Sequence, residues 1–140
     1  MRRNLHILIA IVLVLSACKK EQIEKADIVD EIPIPAGFPT IQFPADNAYT
    51  PQRWALGKQL FFDPVLSNDS TISCASCHNP AKAFSDEVAF SKGVAGRLGT
   101  RNSPTLTNVA YLPYFTREGG VPTLEMQTLV PIQEHNEFDF

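Results

Sequence analysis

Hydrophobic and polar positions divide the chain into unlike stretches. The first is an unbroken apolar run from Ile7 to Leu15 behind Met1-Arg2-Arg3, a charged leader and a hydrophobic segment too short to span a bilayer comfortably. From Lys19 to Tyr49 charged residues give way to Pro33, Pro35, Pro39 and Pro44 with no sustained apolar period, the pattern of a tether followed by an extended arm. Proline fixes φ and removes a backbone donor, so Ile32-Pro33-Ile34-Pro35 suits a segment lying across a domain, its Ile and Phe side chains packing on the core.

A helical period first appears after Thr50-Pro51, an N-cap followed by proline at the first helical position, with Leu56 and Leu60 on one face and Pro64 as the stop. A polar loop, Ser67-Asn68-Asp69-Ser70, leads to Ser73, which is placed to cap a short turn, Cys74-Ala75-Ser76-Cys77-His78, ended by Asn79-Pro80. Between Ala81 and Arg101, glycines at 93, 96 and 99 predict irregular backbone. With no strand before them and no GKS or GKT after them, they are not a phosphate loop. Asn102 or Ser103 with Pro104 predicts a helix carrying Leu106, Val109 and Ala110 on one face and ending near Pro113. A last helix is predicted from Thr123 to Val130, stopped by Pro131. No alternating run is long enough for a sheet. The predicted class is all-α, with short helices and long loops.

Composition narrows the function. The chain has 140 residues, 44% hydrophobic and 19% charged, with a formal net charge of -3, which describes at most one domain and offers no electrostatic footprint for nucleic acid. Leu15-Ser16-Ala17-Cys18 resembles a bacterial lipobox, against the plainer reading of a secretory signal with a chance cysteine. It implies removal of residues 1–17, acylation of Cys18, and a chain held at the periplasmic side of a membrane by about 0.8 kcal/mol per buried CH₂. Residues 18–49 are then tether and arm, and residues 50–140 form the domain.

With Cys18 lipidated, only Cys74 and Cys77 remain, so no disulfide framework holds a small exported fold together. Two thiols three apart on one helical turn can form thioether links to the vinyl groups of a haem, and His78 then lies beneath the iron as its proximal ligand. Zinc would need a second ligand pair, and His135 is the only further histidine downstream. A thioredoxin-like pair needs a βαβ context, and a disulfide across three residues is strained. Covalent haem c is the reading these residues favour, and a cytochrome c-like domain its consequence. The macrocycle supplies a central surface that a chain of this size lacks, so the haem-free chain is expected to be only partly folded.

The sixth iron position has three candidates. Met126, 48 residues after His78, suits an electron-transfer cytochrome with His78/Met126 ligation. His135 would complete a bis-histidine site. The third arrangement leaves the iron open beneath Gln127 and Glu137.

From Leu56 onward the chain resembles the bacterial di-haem cytochrome c peroxidases and their methylamine-utilisation relatives. The resemblance is carried by Leu56-Gly57-Lys58-Gln59-Leu60-Phe61-Phe62-Asp63-Pro64, Thr71-Ile72-Ser73 with Cys74-Ala75-Ser76-Cys77-His78, Arg101-Asn102-Ser103-Pro104-Thr105-Leu106, and Leu124-Glu125-Met126-Gln127 with Pro131. It implies the N-terminal, peroxidatic haem domain. Gln127 and Glu137 would overhang the distal face, hydrogen peroxide would be the substrate, and a small cytochrome or cupredoxin the electron donor. On this reading Met126 does not ligate iron, and Asn102 falls where a calcium side-chain ligand is expected. Three departures accompany the resemblance. Val94 stands where many members carry a distal histidine, which implies an iron needing no reductive activation. Arg117 stands at the family's usual tryptophan, which puts electron passage between haems in question. No second Cys-x-x-Cys-His is present, so the chain is expected to be a fragment, a truncated paralogue, or one partner of a chain carrying the second haem.

Overall fold

The computed structural model describes residues 31–140. The leader, Cys18 and the start of the tether lie outside the described residues. Helix α1 (Pro51–Phe62) begins where the sequence places it: Thr50 Oγ1 accepts the Arg53 amide at 3.1 Å, satisfying a donor that the first turn leaves free. It ends as the Asp63 amide reaches Gln59 O at 3.0 Å. The Asp63 carboxylate then caps the 3-10 turn Pro64–Leu66 through Val65 N–H, 2.9 Å away. The packed face of α1 is centred on buried Ala55, whereas Leu56 is 53% exposed, so the predicted leucine stripe is not the face that packs.

Helix α2 (Cys74–Cys77) is one capped turn, and helix α3 (Leu124–Gln133) starts from Thr123, whose Oγ1 accepts the Met126 amide at 3.2 Å. Helix α3 runs three residues past the stop predicted at Val130. Pro131 forfeits one hydrogen bond, but Glu134 N–H still closes onto Val130 O at 3.0 Å.

The helix predicted after Pro104 does not form; only the 3-10 turn Val109–Tyr111 is helical there. Thr105 Oγ1 is drawn away to Ala83 O and also accepts Thr107 N–H at 3.1 Å, a side-chain turn that competes with helical bonding. Asn108 then adopts a left-handed φ of 57°, which no helix interior tolerates. The stretch from Ala81 to Arg101 is irregular as predicted, with 3-10 turns at Pro80–Lys82 and Val94–Gly96 and isolated bridges Asn79–Ser85 and Lys92–Leu98.

The arm lies across the domain without regular structure. Phe38 packs on Tyr111 with ring centroids 4.8 Å apart, and Asn47 donates to Glu125 Oε1 at 3.1 Å. Its Ile34, Phe38 and Phe43 nonetheless remain 40–44% exposed. Among the described residues the buried apolar side chains are Ala55, Val94 and Phe138, while Phe62, Val65, Val88, Phe90, Leu98 and Leu129 are about half exposed. The architecture is all-helical with no strand among the described residues, and its protein core is small for its apolar content.

Candidate functional site

Ser73 and Ser76 close α2 reciprocally: Ser73 N–H donates to Ser76 Oγ and Ser76 N–H to Ser73 O, each at 3.0 Å. The Cys74 and Cys77 thiols are free and half-buried, and burial pushes both above the ordinary thiol range. His78 N–H caps the turn on Cys74 O at 2.9 Å.

The imidazole is oriented from the next loop. His78 Nδ1 lies 2.9 Å from Phe84 O, so Nδ1–H donates there and Nε2 keeps its lone pair for a metal. That carbonyl is aimed by Ala83 and Phe84, both left-handed with φ of 52° and 60°, a conformation costing about 1–2 kcal/mol at each non-glycine residue. Hydrogen bonding offsets the strain, since Phe84 N–H reaches Asn79 O at 2.8 Å and Thr105 Oγ1 holds Ala83 O. The Phe61 ring of α1 meets Phe84 edge-on at 6.1 Å, tying the loop to the first helix.

Glu137 reaches the same neighbourhood from the far end of the sequence. Cys77 Sγ lies 3.8 Å from Lys92 O, and the residues that follow Lys92 buttress the Glu137 loop: Val94 N–H donates to Glu137 O at 2.9 Å. Gly93 makes the approach possible, because a Cβ there would fall 2.1 Å from Asn136 O and 2.6 Å from Glu137 O. Glu137 is exposed to solvent as a residue, yet its carboxyl is partly desolvated by its neighbours. Desolvation, then the charge of Glu134, raise its carboxyl above the ordinary range, with His78 opposing. On α3, Gln127 Oε1 is buried and accepts no hydrogen bond from the chain.

The other sequence-predicted residues fall as follows. Met126 is 51% exposed on the first turn of α3, and His135 Nδ1 is taken by Asp139 Oδ1 at 2.9 Å. Val94 is 3% exposed and serves the Glu137 loop through its amide. Asn102 Oδ1 accepts from Arg117 Nη2 at 2.7 Å, beside an Arg101–Glu118 ion pair. Among the described residues no group of three or more His, Cys, Asp or Glu side chains is placed to hold a metal ion. Sequence reasoning missed Asp86, Ser91 and Ser103, which form one polar cluster. Ser91 Oγ donates to Asp86 and lies 3.0 Å from Ser103 Oγ. It also missed Arg97 and Asp139. Gly93, singled out only as a loop breaker, was the available signal for the close approach.

An imidazole oriented for a metal, two thiols on the preceding turn, a shortage of core and an orphaned acceptor are what a bound haem would satisfy; the fold and site define a c-type haem domain. Comparison with known proteins narrows the class. The model of the di-haem cytochrome c peroxidase family matches residues 51–140, and the chain belongs to that family. It is 44% identical over 90 residues to cytochrome-c peroxidase IdrP1 of Denitromonas iodatirespirans, covering 64% of this chain and 24% of that protein. It is 37% identical over 100 residues to methylamine utilization protein MauG of Methylorubrum extorquens, covering 71% and 28%. Among solved structures, a MauG-like protein associated with microbial copper homeostasis superposes with a TM-score of 0.69 at 33% identity, covering 74% of this chain and 30% of that one. The chain thus spans about a quarter of the length of the curated relatives it matches.

Proposed function

We propose that this chain is the peroxide-reducing haem c domain of an exported, lipid-anchored peroxidase on the periplasmic side of a bacterial membrane, supplied with electrons by a small cytochrome or cupredoxin. The observation that carries the reading is the Glu137 carboxyl. It is held beside the Cys77-His78 turn by the Gly93-Val94 backbone and kept partly desolvated.

Cys74 and Cys77 would hold the haem by thioethers and His78 Nε2 would bind its iron. When bound, the group supplies the redox chemistry by which peroxide is reduced to water. The polypeptide handles the proton. Glu137, as carboxylate, accepts the proton of one peroxide oxygen and returns it to the other, so that the O–O bond breaks with water as leaving group. Its raised affinity for a proton suits it to both halves of that transfer. Gln127 Oε1 orients the peroxide by accepting its O–H, the donor this buried oxygen lacks within the chain. Calcium at Asn102 would require the Arg117 guanidinium to turn away from Oδ1.

The test uses the chain matured with haem. Glu137→Gln is expected to slow the reaction of the ferric protein with hydrogen peroxide by about 10²–10⁴-fold, with haem still attached; a rate near wild type overturns the assignment. The ferric wild-type protein is expected to be high-spin and to shift on adding cyanide. A low-spin spectrum unmoved by cyanide would put Met126 or His135 on the iron and make the chain an electron carrier.

A further inference from the structure

The segment bearing Glu137 is gripped from both sides by charges with no part in the proton transfer itself. Arg97 Nε donates to His135 O at 2.7 Å, and Arg97 Nη2 donates to Asp139 Oδ2 at 2.7 Å. The second Asp139 oxygen, Oδ1, lies 2.9 Å from His135 Nδ1. One guanidinium therefore spans residues 135 and 139, and one carboxylate closes the ring by bonding both Arg97 and His135. Glu137 is the midpoint of the bracketed segment.

We propose that Arg97, His135 and Asp139 form a clasp that positions the Glu137 carboxyl for proton transfer, an inference that rests on the peroxidase reading. Three further observations support it. Arg97 belongs to the loop that already touches Glu137, since Arg97 N–H donates to Val94 O and Gly93 N–H to Arg97 O, at 3.1 and 2.8 Å. The clasp and the Val94–Glu137 bond are thus one unit. Asp139 is left-handed with φ of 54°, a conformation glycine adopts freely and an L-residue adopts at a cost. Both oxygens of that carboxylate are in use, one on Arg97 and one on His135. Finally, the side chains of Arg97 and Asp139 are 28% and 30% exposed and that of His135 is 69% exposed. The bonds of the clasp join only the loop at 97 and the segment from 135 to 139, so their effect is on the geometry of the segment they encircle.

Arg97, His135 and Asp139 are positioning residues: they act on peroxide chemistry only through Glu137. Asp139→Gly separates this role from a structural one, because glycine keeps the left-handed backbone accessible while deleting the carboxylate. In haem-loaded protein, Asp139→Gly is expected to slow the peroxide reaction about 10- to 100-fold, the scale of a small misplacement of a catalytic group, and to leave cyanide affinity unchanged. Added to Glu137→Gln it should cost nothing further. Independently of activity, the Val94 amide should exchange with solvent faster in the variant. A wild-type rate for Asp139→Gly, an equal loss in both backgrounds, or unchanged Val94 exchange overturns the inference while leaving the peroxidase reading in place. A Glu137→Gln protein that reacts like wild type sinks that reading and the clasp with it.

Discussion

The turn that carries His78 and the loop that carries Glu137 are fixed in opposite ways. Around His78 the hydrogen bonds that set the turn and the imidazole are local: Ser73 with Ser76, His78 with Cys74, His78 with Phe84, and Phe84 with Asn79 are separated by at most six residues, and Thr105 on Ala83 and Phe61 on Phe84 add the longer ties. Around Glu137 the main-chain turn is local but its placement is not. Val94, Arg97 and Asn68 reach it from roughly 40 to 70 residues earlier in the chain. Local restraints cost little ordering entropy to form and resist change elsewhere in the molecule, whereas distant ones exist only once the fold has closed. The proton-handling half of the site is therefore the half most sensitive to core packing.

The largest effect is expected at Phe138. Its side chain is 4% exposed, its carbonyl accepts Asn68 N–H at 2.9 Å, and it adjoins Glu137. Phe138→Ala should destabilise the domain by about 3–5 kcal/mol, read as a fall in unfolding midpoint, and should speed amide exchange at Asn68 and Val94 together. Unchanged exchange at Val94 would show that the Glu137 loop does not depend on this anchor, and the contrast would fail on its distant side.

A smaller change tests the local side. Ser76→Ala removes the hydroxyl that accepts the Ser73 amide, half of the reciprocal cap on α2, and should cost about 1 kcal/mol, with exchange at His78 affected and exchange at Val94 not. If Val94 loosens as much as it does in Phe138→Ala, the two regions are one cooperative unit and the distinction disappears.

The same difference decides how much was legible in the sequence. Thr50-Pro51, Ser73 and the Cys-x-x-Cys-His spacing were readable because caps and helical spacing act within four residues, and α1 and α2 stand where those signals place them. The helix expected after Pro104 does not form because Thr105 bonds a distant acceptor, the carbonyl of Ala83, and Asn108 turns left-handed, neither of which periodicity registers. Leu56 and Leu60 share a face, yet buried Ala55 marks the face that packs. In a domain with so little protein core, apolar spacing alone is a poor guide to what is covered. Gln127 and Glu137 came from family resemblance rather than periodicity, and Arg97 and Asp139 carried no local signal at all.

The smallest effect concerns two carboxyls in the Glu137 loop that titrate in opposite senses. Glu137 is raised by desolvation and then by Glu134, so its contribution to stability is fully present below the unfolded carboxyl range and is lost as pH rises through the raised value. Asp139 is lowered, first by its bond from His135 and then by Arg97, so its contribution is present above the unfolded value and is lost as pH falls through the lowered one. The loop is held best between those limits, while proton acceptance by Glu137 needs the carboxylate and fades as pH falls through its raised value. Glu134→Gln removes the like charge but leaves the burial. The acid limb of the peroxide reaction should therefore move to lower pH by a fraction of a unit, and the loss of stability at higher pH should become shallower. An acid limb that stays in place would mean that burial alone sets the Glu137 proton affinity, with no part left for its charged neighbour.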